Sequence, residues 1–316
     1  MATSPRIFDF HTHVYPIPDL PFGLQSIKKG ARSLIAPWTR QTQALAAGLR
    51  RAPVWARGVT EELSMGYLMS HLLIESSFRD FEDACRKSGI DGALLVAHPP
   101  LIPNSFIQAC AKDRPHLIPA WQFPFLDRGA PIDAFVADMK ANGVRVLKIH
   151  PMADGFGPED ERYRALLDVA SKEGWLVVLH SGVVRSHLAF QDPKLGDPRL
   201  FFDWFRQYPK VNFVVAHFNI HDPEQLLDID LNFDNVWWTL SWQTAGSMGR
   251  AIEKLGAERL LFASDWPLLG GNQQVIKDRL IEAMNERLLD QDERALIWSG
   301  NAKTLLSQAR AWKAAW

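Results

Sequence analysis

The chain of 316 residues contains only two cysteines, Cys85 and Cys110, and they form no CxxC pair. This spacing argues against a cysteine-based zinc site, and two isolated thiols are typical of a protein in a reducing compartment. The opening residues MATSPRIFDF contain no charged stretch followed by an apolar run, so we expect no signal peptide. Together these observations predict a cytoplasmic protein.

Excess charge and long apolar runs are also missing. The formal net charge is −1 and the pI is about 6.8, whereas domains that bind nucleic acid usually have a pI above about 9. We therefore expect no nucleic-acid partner. No stretch approaches the roughly 18 consecutive apolar residues of a membrane span, so we expect no membrane partner either.

A glycine-rich phosphate loop, usual after the first strand of a doubly wound sheet, is replaced here by His11-Thr12-His13. Near-continuous apolar runs alternate with helical patterns, as expected for parallel strands buried on both faces. The eight runs cover residues 7–10, 92–97, 117–123, 144–149, 176–179, 212–216, 236–240 and 260–263. The pattern predicts an α/β protein, a single-domain (β/α)8 TIM barrel over residues 1–316.

One connection is unusually long. Residues 14–77 separate the first two predicted strands, and loops of this length inside a compact domain are usually functional. Between Val14 and Thr60 there is one acidic residue, Asp19, against seven basic ones: Lys28, Lys29, Arg32, Arg40, Arg50, Arg51 and Arg57. The segment is interpreted either as a solvated helical insert or as a lid that offers Arg and Trp side chains to an anionic substrate.

Imidazole or carboxylate groups follow most of the predicted strands. These residues are His11, His13, His98, His150, His180, His217 and Asp265. The carboxyl ends of barrel strands share one face, where active sites are built. Residues i and i+2 of a strand point the same way, so His11 and His13 can reach one ion, with His180 and Asp265 approaching from other strands. Nitrogen ligands with one carboxylate suit Zn²⁺, with Mn²⁺, Fe²⁺ or Co²⁺ as alternatives.

Several short motifs carry a family resemblance. Besides the segment Phe8–His13, they are Leu179–Gly182, Val215–His217, Ser264–Pro267 and Gly300–Ala302. From Ile7 to about Leu306, apart from the insert, the sequence resembles the amidohydrolase superfamily, in particular its amidohydrolase-related (amidohydrolase-2) branch. The resemblance implies a distorted (β/α)8 barrel that binds a divalent metal, usually zinc. Because dimers are common in this branch, it also suggests a homodimer.

The resemblance also assigns roles. It implies that His11, His13, His180 and Asp265 are metal ligands, and that His217 orients the water or the substrate. Asp265 would in addition take the proton from the attacking water. A divalent ion in such a site lowers the pKa of water and polarises a carbonyl group.

The fourth strand ends in Lys148-Ile149-His150. Some superfamily members carry a carbamylated lysine here that bridges two metals, but similar segments occur in the mononuclear branch, so we expect one metal ion. Lys148 is interpreted as paired with an acid or as contacting a substrate carboxylate, and His150 as a substrate contact or a support for the site.

Three further residues are candidates for contacts with the substrate. Arg185 follows the His180 motif and can hold a carboxylate through two hydrogen bonds. His98 ends the second strand, and Trp242 lies near the site end of the seventh, where packing is the alternative role.

The predicted function is metal-dependent hydrolysis of a small, anionic ester, lactone or amide. The alternative is non-oxidative decarboxylation of a small aromatic or unsaturated carboxylic acid, because this branch includes such decarboxylases and His-x-His does not separate the two. Hydration is a third reaction within the branch, and some lactonase relatives are thought to work without a metal. A non-catalytic binding barrel would be expected to have lost ligands, and all four are present.

Overall fold

Eight parallel strands form the centre of the protein. The computed structural model describes residues 6–17, 30, 53, 55–62, 72, 75–127, 129–187, 190–220, 222–268 and 273–312. The strands are β1 (Phe8–Thr12), β2 (Gly92–Val96), β3 (Leu117–Gln122), β4 (Val146–Ile149), β5 (Leu176–Leu179), β6 (Phe213–Val215), β7 (Val236–Thr239) and β8 (Leu260–Leu261). They lie side by side in chain order, which confirms the predicted TIM barrel.

The first and last strands meet through a few hydrogen bonds that nearly close the barrel. The Phe10 N–H donates to the Phe262 carbonyl at 2.9 Å, and the Asp265 N–H donates to the His11 carbonyl at 2.9 Å. β8 is shorter than the predicted run 260–263 because the Phe262 N–H turns away to the carbonyl of Ile297. These contacts bring the segment that contains Asp265 alongside the two histidines that follow β1.

Helices surround the strands. They are α1 (Phe78–Ser88), α2 (Asn104–Ala111), α3 (Ile132–Ala141), α4 (Pro151–Asp154), α5 (Glu161–Glu173), α6 (Phe202–Gln207), α7 (Glu224–Leu227), α8 (Ala245–Leu255), α9 (Gln273–Glu286), α10 (Gln291–Ala295) and α11 (Asn301–Gln308). A π-helical turn, Leu296–Gly300, connects α10 to α11 without a break in the helical backbone. None of the helices described is long and apolar enough to cross a membrane.

The connection between β1 and α1 is the predicted insert. Its described part includes a helix over residues 55–62. The residues at 28, 29, 32, 40, 50 and 51, on which the lid interpretation depends, lie outside the described residues, whereas Arg57 lies within them. The role of the insert as a lid therefore stays a prediction.

The barrel interior is apolar at one end and polar at the other. Alternate residues of the strands, such as Val146 and Val178, pack with Leu305 and Leu306 of α11 in one buried cluster. Continuing the same alternation leads from Val146 to Lys148 and His150. The polar residues of the candidate site thus lie on the interior face at the carboxyl ends of the strands.

β1 departs from this alternation. Phe8 and Phe10 belong to the interior cluster, so strict alternation would turn His11 and His13 away from it. The pairing of β1 with β2 shifts register between Asp9 and Thr12, and such irregularities re-aim side chains. Both histidines consequently face Asp265 and the interior.

Candidate metal centre

His11, His13 and Asp265 converge at the carboxyl end of the barrel. The Nε2 atoms of the two histidines are 3.2 Å apart. Asp265 Oδ1 lies 3.6 Å from His11 Nε2 and 3.4 Å from His13 Nε2. All three side chains are buried, and the three atoms that could bind an ion lie within 4.8 Å of one another.

The donor chemistry of this group fits a divalent cation. His13 Nδ1 lies 3.1 Å from the Val96 carbonyl, which can only accept, so the ring hydrogen is on Nδ1 and Nε2 presents a lone pair. Asp265 Oδ1 has no hydrogen-bond partner among the described residues. Two atoms bound at about 2.0–2.1 Å to one tetrahedral zinc ion lie roughly 3.4 Å apart. The observed separations match that spacing, so these residues could hold an ion.

His180 and His217 stand beside this group. The His217 ring centroid lies 4.8 Å from that of His11 and 4.9 Å from that of His180. His180 is not part of the three-residue group, but its Nε2 atom is buried and has no hydrogen-bond partner within the described part of the chain. His180 thus lies near the group without joining it, and its role as a fourth ligand stays a prediction.

A strained turn after β6 aims His217 into the barrel. Residues 217–220 all have positive φ, and His217 itself has φ 69°, a region that non-glycine residues rarely adopt. The Gln243 side-chain amide stabilises the turn by donating to the carbonyls of His217, Phe218 and Ile220 at 2.8, 3.3 and 2.9 Å. Backbone strain of this kind persists only where surrounding contacts impose it, which is typical of functional sites.

Asp265 is oriented by Trp242. The indole N–H of Trp242 donates to Asp265 Oδ2 at 2.6 Å, which leaves Oδ1 directed at the histidines. Burial alone would raise the pKa of Asp265, but His217, His13 and Trp242 together hold it below its ordinary value. The carboxylate is therefore ionised at neutral pH. Trp242, grouped with substrate contacts in the sequence analysis, thus contacts the candidate ligand Asp265 itself.

This contact gives a testable expectation for Trp242→Phe. The variant keeps an aromatic ring but loses the N–H that fixes Asp265. Removing such a supporting hydrogen bond typically lowers metal affinity or activity about 10- to 100-fold. We expect that decrease in zinc affinity by competition with a chelator. Trp237→Phe is the control, because the Trp237 N–H bonds the Glu258 carbonyl; equal affinities in the two variants would refute the role.

Sequence reasoning missed Asp9, although it lies within the quoted motif. Its carboxylate is fully buried and accepts hydrogen bonds from the Ser264 N–H at 2.9 Å, the Ser264 hydroxyl at 2.5 Å and Gln273 Nε2 at 3.1 Å. Burial, outweighing these bonds, raises the pKa of Asp9 to about 7. Asp9 thus connects β1 to Ser264, the residue before Asp265, through hydrogen bonds that only the folded structure shows.

Lys148 is buried at the floor of the site. Its side chain is fully inaccessible to solvent, and its Nζ atom has no hydrogen-bond partner among the residues described. Burial lowers the pKa of Lys148 to about 7, although Asp265 and Asp154 act in the opposite direction. The expected pairing with an acid is therefore electrostatic and involves no hydrogen bond.

Most of the surrounding histidines are neutral. Burial is the largest cause that lowers the pKa values of His11, His150 and His180 well below the ordinary value, and nearby Lys148 lowers them further. Burial also lowers the pKa of His217 to about 4. Neutral imidazole is the form that binds a metal ion.

Of the other predicted substrate contacts, His98 and His150 lie beside His180, whereas Arg185 lies beside the helix of the insert. His98 and His150 are neighbours, with ring centroids 5.1 Å apart, and the His150 ring stacks on that of His180 at 3.8 Å. Arg185 instead bonds the insert helix: its N–H donates to Glu61 Oε2 at 2.5 Å and its guanidinium to Glu61 Oε1 at 3.3 Å. A substrate carboxylate would have to displace Glu61 from Arg185.

Fold and site together define a TIM-barrel protein with a histidine- and carboxylate-lined centre at the carboxyl ends of its strands. A family model described as "Amidohydrolase" matches residues 8–307. The chain therefore belongs to the amidohydrolase family, which confirms the resemblance seen in its motifs. The comparison with curated proteins gives no match.

Solved structures share the fold. One is an uncharacterised TIM-barrel protein from Bordetella bronchiseptica, with a TM-score of 0.67, 17% identity and coverage of 96% of this chain and 99% of that one. A probable 2-pyrone-4,6-dicarboxylic acid hydrolase from Acinetobacter baumannii, with citric acid bound, has a TM-score of 0.56, 16% identity and coverage of 96% and 99%. The 5-carboxyvanillate decarboxylase from Sphingomonas paucimobilis has a TM-score of 0.62, 13% identity and the same coverage.

Proposed function

We propose that the protein is a metal-dependent hydrolase that cleaves a small ester, lactone or amide. The observation that carries the proposal is the convergence of His11, His13 and Asp265 with ligand atoms 3.2–3.6 Å apart. We propose His180 as the fourth ligand and zinc as the ion, since three nitrogens with one carboxylate suit it. When bound, such an ion activates water and polarises the carbonyl group that is attacked.

The remaining roles follow from the positions of the side chains. Asp265 is ionised and fixed by Trp242, so its carboxylate can accept the proton of the attacking water. The His217 ring is held by a 2.7 Å contact between Nδ1 and the Ser241 hydroxyl, and we propose that its other nitrogen orients the water or the substrate. Lys148, with a pKa of about 7, can carry a positive charge beside the site, and we propose that the substrate is anionic.

The first test is the metal content of the purified protein by mass spectrometry, beside His180→Ala. We expect one metal ion per chain, lost in this variant. His116→Ala is the control, because His116 precedes β3 at the opposite end of the barrel and should not affect binding. Two ions per chain would instead support a carbamate on Lys148. No metal even after reconstitution would overturn the proposal.

Activity is tested on the metal-loaded protein with a panel of anionic esters, lactones and amides. We expect turnover of at least one class, lost on chelation and restored by zinc. Failure of the whole panel with a metal-loaded protein would overturn hydrolysis.

Decarboxylation is the second candidate. The observation that favours it is that the site contains a buried lysine, Lys148, and that Asp265 is the one carboxylate of the three-residue group. One structural neighbour is named as a decarboxylase. Release of carbon dioxide from aromatic carboxylic acids, in the absence of ester or lactone hydrolysis, would favour this reaction.

A further inference from the structure

A buried hydrogen-bond network links the ends of β2, β3 and β4 behind the metal centre. His98 Nδ1 lies 3.0 Å from Gln122 Oε1, and Gln122 Nε2 donates to Asp154 Oδ1 at 2.8 Å. Asp154 Oδ2 accepts from the Tyr163 hydroxyl at 2.8 Å and from the His150 backbone N–H at 3.3 Å. Gln122, Asp154 and Tyr163 are buried and lie outside the proposed ligand set.

The bond from the His150 backbone N–H to Asp154 determines which groups of the network donate and which accept. A backbone N–H can only donate, so Asp154 Oδ2 must accept from His150. Above the pKa of Asp154, which burial raises to about 7, its carboxylate can only accept, so Oδ1 accepts the Gln122 amide N–H and the Gln122 carbonyl oxygen faces His98. That oxygen can only accept, so His98 carries its hydrogen on Nδ1 and presents a lone pair on Nε2.

His150 has the opposite polarity. Its Nδ1 atom accepts from the Ala153 backbone N–H at 3.3 Å, so a neutral His150 ring carries its hydrogen on Nε2. The ring stacks on His180 with 12° between the planes, and the ring of His98 lies next to it. Two neighbouring imidazoles thus present one lone pair and one N–H beside a proposed metal ligand.

We propose that Gln122, Asp154 and Tyr163 are positioning residues that hold His98 in its tautomer, opposite to the tautomer that the Ala153 N–H imposes on His150. The pair would bind a substrate group that offers both a hydrogen and a lone pair, such as a hydroxyl. This binding role rests on the proposed function, whereas the tautomers are properties of the folded protein alone.

The test uses the full-length, metal-free protein labelled with ¹⁵N in its histidines. At about pH 8 imidazoles are neutral, and two-bond ¹⁵N–¹H correlation spectra distinguish N–H from bare nitrogen. His98→Gln and His150→Gln assign the signals. We expect a hydrogen on Nδ1 of His98 and on Nε2 of His150.

Asp154→Asn gives the sharpest prediction, because it changes polarity without changing shape. The His150 N–H keeps the Asn oxygen on its own side, so the new amide NH₂ faces Gln122. Gln122 must then turn its oxygen toward residue 154 and its NH₂ toward His98. We expect the hydrogen of His98 to move to Nε2 in this variant, while the metal content of the variant purified without removal of its metal stays unchanged.

Asp203→Asn is the control, since Asp203 is exposed and bonds Arg206 on the surface. The proposal is overturned if His98 carries its hydrogen on Nε2 in the unmodified protein, or if Asp154→Asn leaves the tautomer of His98 unchanged. Should Asp154→Asn fail to fold, the spectrum of the unmodified protein still decides. An inactive substrate panel would refute the proposed hydrolase but would not alter these spectra.

Discussion

Asp265→Asn is expected to lose both metal binding and turnover. The substitution keeps the shape of the side chain but replaces the charged Oδ1, which faces His11 and His13 at 3.6 and 3.4 Å, with a neutral amide group. It also removes the proposed proton acceptor, and general bases contribute about 10²–10⁴-fold to rates. We therefore expect kcat/KM to fall by on the order of 10³-fold or more.

The measurement combines metal content with kcat/KM on the substrate that the panel identifies. Asp203→Asn is the matched control, because its carboxylate lies on the surface and it should behave like the unmodified protein. An Asp265→Asn protein that retains its metal and more than a tenth of its activity would show that Asp265 is neither a ligand nor the base.

Lys148→Met is expected to stabilise the metal-free protein while lowering its activity. The Lys148 side chain is fully buried, and its Nζ atom has no hydrogen-bond partner in the described regions. An apolar side chain of similar length removes the cost of burying that group, a gain of roughly 1–4 kcal/mol in the free energy of unfolding. Loss of a charged contact with an anionic substrate should lower kcat/KM about 10- to 100-fold.

The stability gain should depend on pH in a defined direction. The pKa of Lys148 is about 7 in the folded protein, against about 10.4 in an unfolded chain. Between these values the unfolded state binds more protons, so the unmodified protein becomes more stable as the pH rises. The advantage of Lys148→Met should thus be largest at about pH 7 and below, and shrink toward pH 10.

Thermal unfolding of the metal-free proteins across this pH range measures the effect. Lys210→Met is the control, because Lys210 is exposed and its replacement should leave the melting temperature and activity unchanged. A Lys148→Met protein that is less stable at neutral pH would mean that the amine has a stabilising role. Unchanged activity would exclude Lys148 from substrate binding.

The sequence predicted most elements of the fold because their causes are local. Helix α1 begins where Ser77 caps it through a hydrogen bond to Asp80 and ends at Gly89, which adopts the left-handed conformation. The π-helical turn at Leu296–Gly300 packs against β8, a tertiary contact that no local pattern reports.

The sequence predicted which residues belong to the candidate site better than it predicted the contacts between them. Histidines placed directly after apolar runs indicated the carboxyl end of the barrel, since parallel strands bring those ends to one face. Trp242 was assigned to the substrate because its bond to Asp265 joins residues 23 apart in the chain. Gln122 and Asp154 gave no signal at all, because a single buried amide or carboxylate acquires a role only through its partners.

By itself the amino-acid sequence determined the eight buried strands, their order and the chemistry of the residues that follow them. Parallel strands that are buried on both faces have near-continuous apolar runs, so the composition and spacing of the sequence are enough to identify them. Only the tertiary structure decided which side chains meet. The register shift in β1 turns His11 and His13 inward, and the strained turn held by Gln243 does the same for His217. Separations of 3–4 Å between distant residues depend on barrel closure and on such local irregularities, which periodicity does not encode.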